Sequence, residues 1–146
     1  MKLSRQKLNK AKDTHSLHIT DTWLTNGKFA LRKELSDDYC LTKGYEKKDF
    51  GKTFRQLPHI DQEMDRVIKG LDNNYKTATL KEDYFDMSFN RVKAIVLNAE
   101  HGEVRIDYRY SSLLKKGVIL VKDDKSPVFI RNDNGILAVI MPLRKI

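Results

Sequence analysis

Residues 126–144, SPVFIRNDNGILAVIMPLR, indicate the fold of this chain most clearly. Val128 to Ile130 form a short apolar run, and residues 132–135 form an Asn-Asp-Asn-Gly turn cluster whose glycine can adopt a positive φ. Ile136 to Met141 form a second apolar run, which is typical of a strand that is covered on both faces or that closes a sheet. Pro142 cannot donate a hydrogen bond to a sheet and belongs at a strand end or edge. The stretch therefore predicts a β-hairpin.

The composition predicts one soluble domain with a polyanionic partner. The 146 residues include 28 Lys and Arg against 20 Asp and Glu, a formal net charge of +8. This length is enough for a core that needs no metal or disulfide. The charge favours nucleic acid over an anionic membrane as the partner. A basic surface that serves only solubility is the alternative.

The compartment is expected to be the cytoplasm. Cys40 is the single cysteine, so a disulfide framework is excluded and a reducing environment is favoured. The first residues contain no apolar core of a signal peptide, and no apolar stretch approaches the length of a membrane span.

Two features organise the first 35 residues. Lys2–Lys12 predict a short helix whose main apolar residues are Leu3 and Leu8. Asn26-Gly27 then separates two alternating segments, residues 16–24 and 28–35. An Asn-Gly pair between such segments predicts a hairpin with one buried face on each strand.

The middle of the chain is patterned less clearly. A short strand is expected around Tyr39 to Thr42, followed by a loop. Pro58 precedes a predicted helix from His59 to Lys69, whose apolar residues recur at helical spacing and which ends just before Gly70.

The second half predicts mainly strands. A helix is expected at residues 109–116, closed by Gly117, and a turn at residues 99–102. The candidate strands before the final hairpin are residues 75–80, 84–89, 92–97, 104–108 and 118–121. The expected class is therefore α+β, mainly an antiparallel sheet with two or three short helices.

The motifs predict a protein that is not an enzyme and needs no cofactor. The sequence has no Gly-rich phosphate loop, no CxxC and no HExxH. His15 and His18 would lie on opposite faces of a strand, and His59 and His101 are isolated, so no metal site is predicted. A small nuclease would need a carboxylate cluster around a metal, and the Asp pairs at 37–38 and 123–124 are typical of turns.

Basic residues on the first helix and on the short helix at residues 109–116 predict binding to the phosphate backbone of duplex DNA without sequence preference. A solvated helix face is the alternative, and Tyr108 and Tyr110 leave stacking on single strands open. The candidate nucleic-acid-binding residues are Lys2, Arg5, Lys7, Lys10, Lys12, Arg109, Lys115 and Lys116.

Three segments, in order, resemble one domain of the bacterial DNA sliding clamps, the β subunit of DNA polymerase III. Residues 25–31, TNGKFAL, are similar to the family's Thr-Asp-Gly-His turn. Residues 104–116 are similar to its strand and following helix, and the Met-Pro-Leu-Arg ending is similar to its Met-Pro-Met-Arg terminus. Together they cover about a third of the chain.

The resemblance implies a clamp-like fold, basic helices that face DNA, and a pocket for short motifs of replication proteins. In the family, the pocket combines the turn of one domain with the ending of the next. The residues implied here are Thr25, Gly27, Lys28, Val139, Met141, Pro142 and Leu143. Met and Pro at a strand end can equally be ordinary core and edge residues.

The chain also departs from the family. It has room for one domain, residues 1–146, where the bacterial subunits have three, so a ring would need a homo-oligomer. Residues 45–70 resemble an insertion, and Asn26 and Lys28 replace the usual Asp and His. The leading hypothesis is a clamp-like DNA-associated replication protein. The competing hypothesis is a small phage or mobile-element protein that binds or inhibits a host replication or defence protein.

Overall fold

Nine antiparallel strands form one sheet in the computed structural model, which describes residues 17–46, 50, 59–89, 92–100 and 102–143. The strands are β1 His18–Ile19, β2 Trp23–Thr25, β3 Phe29–Arg32, β4 Lys76–Phe89, β5 Val92–Ala99, β6 Gly102–Asp107, β7 Val118–Val121, β8 Val128–Asn132 and β9 Gly135–Ile140. Their order across the sheet is β1-β2-β3-β9-β8-β7-β4-β5-β6.

Two α-helices and two 3₁₀-helices accompany the sheet within these residues. They are α1, Ser36–Lys43, which follows the 3₁₀-helix Lys33–Leu35, then α2, His59–Lys69, and the 3₁₀-helix Tyr108–Lys116. The predicted α+β class with a dominant antiparallel sheet is confirmed. None of the helices in the described part of the chain has the length and apolarity needed to cross a membrane.

The predicted C-terminal hairpin is confirmed as β8 and β9. Phe129 pairs with Val139 and Ile130 with Ala138, and Gly135 has a φ of 117° at the turn. β9 lies between β8 and β3, and Ala138, Val139 and Ile140 are all buried. A strand in this position needs apolar side chains on both faces, which explains the unbroken apolar run.

β4 joins two parts of the sheet. Its first residues, Lys76 to Ala78, pair with β7, whereas the residues from Thr79 onward pair with β5. At the far edge, the backbone N–H of Leu143 donates to the carbonyl oxygen of Arg105 on β6 at 2.8 Å. The segment after β9 therefore contacts β6, although four strands separate β9 from β6 in the sheet.

The larger apolar core lies on one face of the sheet, against the 3₁₀-helix Tyr108–Lys116. Tyr110 and Leu113 of this helix are buried among residues of β3 and of β5 to β9. Burial of such large side chains contributes roughly 2 kcal/mol each. The helix contacts every strand from β5 to β9, so it spans both parts of the sheet.

The opposite face of the sheet carries α2. Met64, Val67 and Ile68 pack there against a second cluster that includes Trp23 and Phe129. The i, i+3, i+4 spacing that predicted this helix is therefore the spacing of its contacts with the sheet. The predicted bounds, His59 to Lys69, are confirmed.

The strand expected at Tyr39 to Thr42 is wrong, because these residues belong to α1. Asp37 and Asp38 lie in its first turn, and Gly44 ends it with a φ of 72°, both favourable for a helix. Tyr39 is buried, whereas the Leu41 side chain is 83% exposed.

Three further strand predictions change. The strand predicted at residues 28–35 ends at Arg32, where the 3₁₀-helix Lys33–Leu35 begins, and β2 and β3 are buried on both faces and not on one. Residues 16–24 contain two strands, because Thr20 Oγ1 accepts the N–H groups of Thr22 and Trp23 and forms a turn between them. Residues 75–80 and 84–89 belong to a single strand, β4, whose pairing with β5 is irregular. The helix predicted at residues 2–12 lies outside the described residues.

Candidate functional site

The turn at residues 25–28 is held by its own side chains. Thr25 Oγ1 donates to the carbonyl oxygen of Phe29 at 2.6 Å and accepts the N–H of Gly27 at 3.0 Å. Asn26 Oδ1 accepts the N–H groups of Lys28 and Phe29. Thr25 and Asn26 are buried, whereas Gly27 and Lys28 are exposed. The turn is therefore rigid and presents two residues to solvent.

Asn26 also links this turn to the core. Its Nδ2 donates to Tyr110 Oη at 3.0 Å, and the Tyr110 ring lies 4.9 Å from the ring of Phe29. A carboxylate at position 26 could not donate this hydrogen bond. The amide of Asn26 therefore has a structural role here.

The turn and the C-terminal segment lie side by side. The Met141 N–H donates to the carbonyl oxygen of Lys28 at 2.8 Å, which extends the pairing of Phe29 with Ile140. The Met141 side chain is 38% exposed, Pro142 is buried, and Leu143 is half-buried. One chain thus brings together the two segments that the resemblance links to a partner pocket.

The predicted pocket residues do not all face one surface. Val139 is buried in the cluster beneath α2, and Thr25 is buried within its own turn. Gly27, Lys28 and Met141 are exposed. We call these three residues with the half-buried Leu143 the 28/141 surface.

Arg109 is held by an internal ion pair. Its Nη2 lies 2.6 Å from Asp107 Oδ2, and its Nε lies 3.1 Å from both carboxylate oxygens. Asp107 also accepts the Arg109 N–H and so caps the 3₁₀-helix. The Lys115 side chain is exposed, and that of Lys116 is half-buried. The five candidates between Lys2 and Lys12 lie outside the described residues.

Sequence analysis missed Lys43, which is 3% exposed at the end of α1. Its Nζ donates to the carbonyl oxygen of Arg109 at 2.6 Å, so it joins α1 to the 3₁₀-helix. Burial lowers the pKa of Lys43 to about 8, an effect that Asp107 opposes and Arg109 reinforces. If residues 39–43 had been assigned to a helix, Lys43 would have been expected one turn after Tyr39 on the same helix face. That position would have indicated that Lys43 is buried.

Basic charge is unevenly distributed along the sequence. The described ranges contain 16 Lys and Arg against 18 Asp and Glu, and the other ranges contain 12 Lys and Arg against 2 Asp and Glu. The net positive charge of the chain therefore comes from residues outside the described ranges, 1–16 above all.

The clefts in the described part of the chain include two that the 28/141 surface does not line. One, of about 340 Å³, lies between the turn at 99–102 and the turn after β7. The other, of about 500 Å³, lies where the loop after α2 meets β4, β7 and β8. Among the described residues, no group of three or more His, Cys, Asp or Glu side chains is placed to hold a metal ion.

No protein-family model, no curated protein and no solved structure matches this chain. A function must therefore be inferred from the residues and surfaces described above.

Proposed function

We propose that this protein is a non-enzymatic, clamp-like DNA-associated domain that binds duplex backbone without sequence preference and recruits a replication protein through the 28/141 surface. The observation that carries the proposal is the hydrogen bond from the Met141 N–H to the carbonyl oxygen of Lys28. It joins the two segments whose sequences resemble the parts of the clamp pocket.

The 28/141 surface has the chemistry of a site for a short peptide. Met141 is flexible and apolar, and it is exposed in the same segment as the buried Pro142 and the half-buried Leu143. Lys28 adds an exposed cation with no ion pair among the described residues. An apolar anchor beside a positive charge suits a peptide with apolar side chains and an acidic group.

The charge distribution supports contact with a phosphate backbone through residues other than Arg109. Lys115 and Lys116 lie on the 3₁₀-helix, and the ranges outside the described residues carry the chain's excess of Lys and Arg. Contacts between such side chains and phosphates release counterions and bind duplex DNA without reading its bases.

A labelled peptide bearing the apolar clamp-binding motif of a bacterial replicative polymerase tests recruitment. Met141→Ala is expected to weaken its binding by about ten-fold, because truncating one buried apolar contact costs roughly 1–2 kcal/mol. The measurement is fluorescence anisotropy with the full chain.

Val118→Ala is the matched control, since Val118 is also an exposed apolar residue, at 44%, on a different strand. The control should leave the peptide affinity unchanged. Equal affinities for the native protein and the Met141→Ala variant would contradict the recruitment role.

A protein that binds or inhibits a host replication or defence protein is the second candidate. The described residues have a slight excess of Asp and Glu over Lys and Arg. This excess favours a protein partner, because this part of the chain is not basic overall. A stoichiometric protein partner, bound by a chain with no measurable affinity for duplex DNA, would select this function over the first.

A further inference from the structure

The larger cleft, of about 500 Å³, has an apolar wall. Leu71, Tyr75 and Leu120 line it, and all three belong to or pack against the apolar cluster beneath α2. The Tyr75 ring packs edge-on against Phe129 at 5.1 Å, and its hydroxyl donates to the carbonyl oxygen of Pro127 at 2.9 Å. The wall is therefore fixed before any ligand arrives.

The charged side chains that line this cleft and have no ion pair within the described ranges are positive. Its acidic residue, Asp72, lies 3.3 Å from Lys122 Nζ and accepts the N–H of Asn74 at 2.9 Å. Lys76 and Arg131 also line the cleft, both are exposed, and neither has an ion pair within the described ranges. An anionic group would therefore meet two cations whose charge is not already neutralised.

Polar groups complete the lining. The side chains of Asn73 and Thr77 are exposed at the cleft and make no hydrogen bond to another described residue. They can serve as donors and acceptors for a ring edge or a sugar hydroxyl. A cleft of this volume lies within the usual range for small-molecule sites.

We propose that this cleft binds a nucleoside phosphate, with the phosphate at Arg131 and Lys76 and the base against Tyr75, Leu71 and Leu120. An inorganic anion would leave the apolar wall uncovered, and an uncharged ring would leave the cations unpaired. The site goes beyond duplex-backbone binding and uses other residues. A free nucleotide and a nucleotide of a single strand share this chemistry.

Isothermal titration with adenosine 5′-monophosphate, inorganic phosphate and adenosine tests the proposal. The nucleotide is expected to bind at least about ten-fold more tightly than either fragment, and Arg131→Gln to weaken it by about ten-fold. Arg66→Gln is the control, because Arg66 is an exposed arginine of α2 that pairs with Glu63 and does not line the cleft. Phosphate binding as tight as nucleotide binding, or no loss in Arg131→Gln, overturns the proposal.

Asn73→Asp is the second variant, because it adds a negative charge to an exposed position and does not alter the sheet. It should also weaken nucleotide binding, and unchanged binding overturns the proposal. A single-stranded oligonucleotide that binds more tightly than the mononucleotide identifies a strand as the source, and equal affinities identify a free nucleotide. Duplex affinity should be unchanged in both variants, which separates this site from the proposed function.

Discussion

The burial of the Lys43 side chain is not apparent from its neighbours in the sequence. Its ammonium is buried against the Arg109 carbonyl, within the field of Asp107. Desolvation is the largest influence and lowers its pKa from 10.5 to about 8. In the unfolded chain the same amine keeps its ordinary pKa, so the two states bind different numbers of protons above pH 8.

We expect the free energy of unfolding to rise with pH between about 8 and 9.5, because the unfolded chain keeps the Lys43 proton that the folded protein has released. The slope contributed by this one group can reach about 1.4 kcal/mol per pH unit. Lys43→Met should remove that contribution, as measured by urea unfolding at a series of pH values.

Lys115→Met is the control, since Lys115 is an exposed lysine. The measurement stays below pH 10, because burial raises the pKa of Tyr75 to about 12 and the unfolded chain would lose its tyrosine protons first. If the free energy of unfolding has the same slope against pH in the native protein and in the Lys43→Met variant, the Lys43 amine does not lose its proton in this pH range.

The start of β7 depends on a glycine for a steric reason. A Cβ at Gly117 would lie 2.3 Å from the carbonyl oxygen of Arg131, whose residue pairs with Val118 across β7 and β8. The φ of Gly117 is −179°, which any residue can adopt, so only the close approach of the two strands excludes a side chain.

Gly117→Ala should therefore lower the free energy of unfolding by about 2 kcal/mol or more, because the opposing atom is backbone and cannot rotate away. Gly135→Ala is the comparison: it has open space, but its φ of 117° is one that L residues rarely adopt, so backbone strain alone should cost about 1–2 kcal/mol. Urea unfolding gives the free energy of unfolding of both variants. A loss for Gly117→Ala that is equal to or smaller than the loss for Gly135→Ala would contradict the steric explanation.

Short-range patterns predicted most of the elements. The hairpin β8–β9, the helix at residues 59–69 and the Asn26-Gly27 turn follow from apolar spacing and turn residues that act within a few positions. The error at residues 39–42 arose because eight residues carry too little periodicity to separate a strand from a helix. There, the helix places the Tyr39 ring 5.2 Å from the ring of Phe29.

In the whole molecule, the residues that form the described fold are not the residues that carry the excess of positive charge. The described residues are slightly acidic, and the basic excess lies in other ranges of the sequence. If duplex binding depends on that excess and on the 3₁₀-helix, the affinity must fall steeply as the salt concentration rises. The affinity must also fall when a few lysines in those places are replaced.

Joint replacement of Lys7, Lys10 and Lys115 by Gln should reduce the slope of log affinity against log salt by about 2 to 3, since each phosphate contact contributes about 0.9. Fluorescence anisotropy with two duplexes of different sequence gives the slope and its sequence independence. Lys69→Gln, on α2, is the control. Affinity and slope that survive the triple replacement would exclude the DNA role.

Local sequence was sufficient for the α+β class, the strand-rich second half and the position of the C-terminal hairpin, because turns and apolar periodicity act between near neighbours. The pairing of Arg109 with Asp107 is local as well, because Asp107 caps the start of the 3₁₀-helix that contains Arg109. The burial of Lys43 and the contact of Met141 with Lys28 join residues 66 and 113 positions apart. Such contacts follow from the order of strands in the sheet, which no short pattern specifies, so only the folded chain shows them.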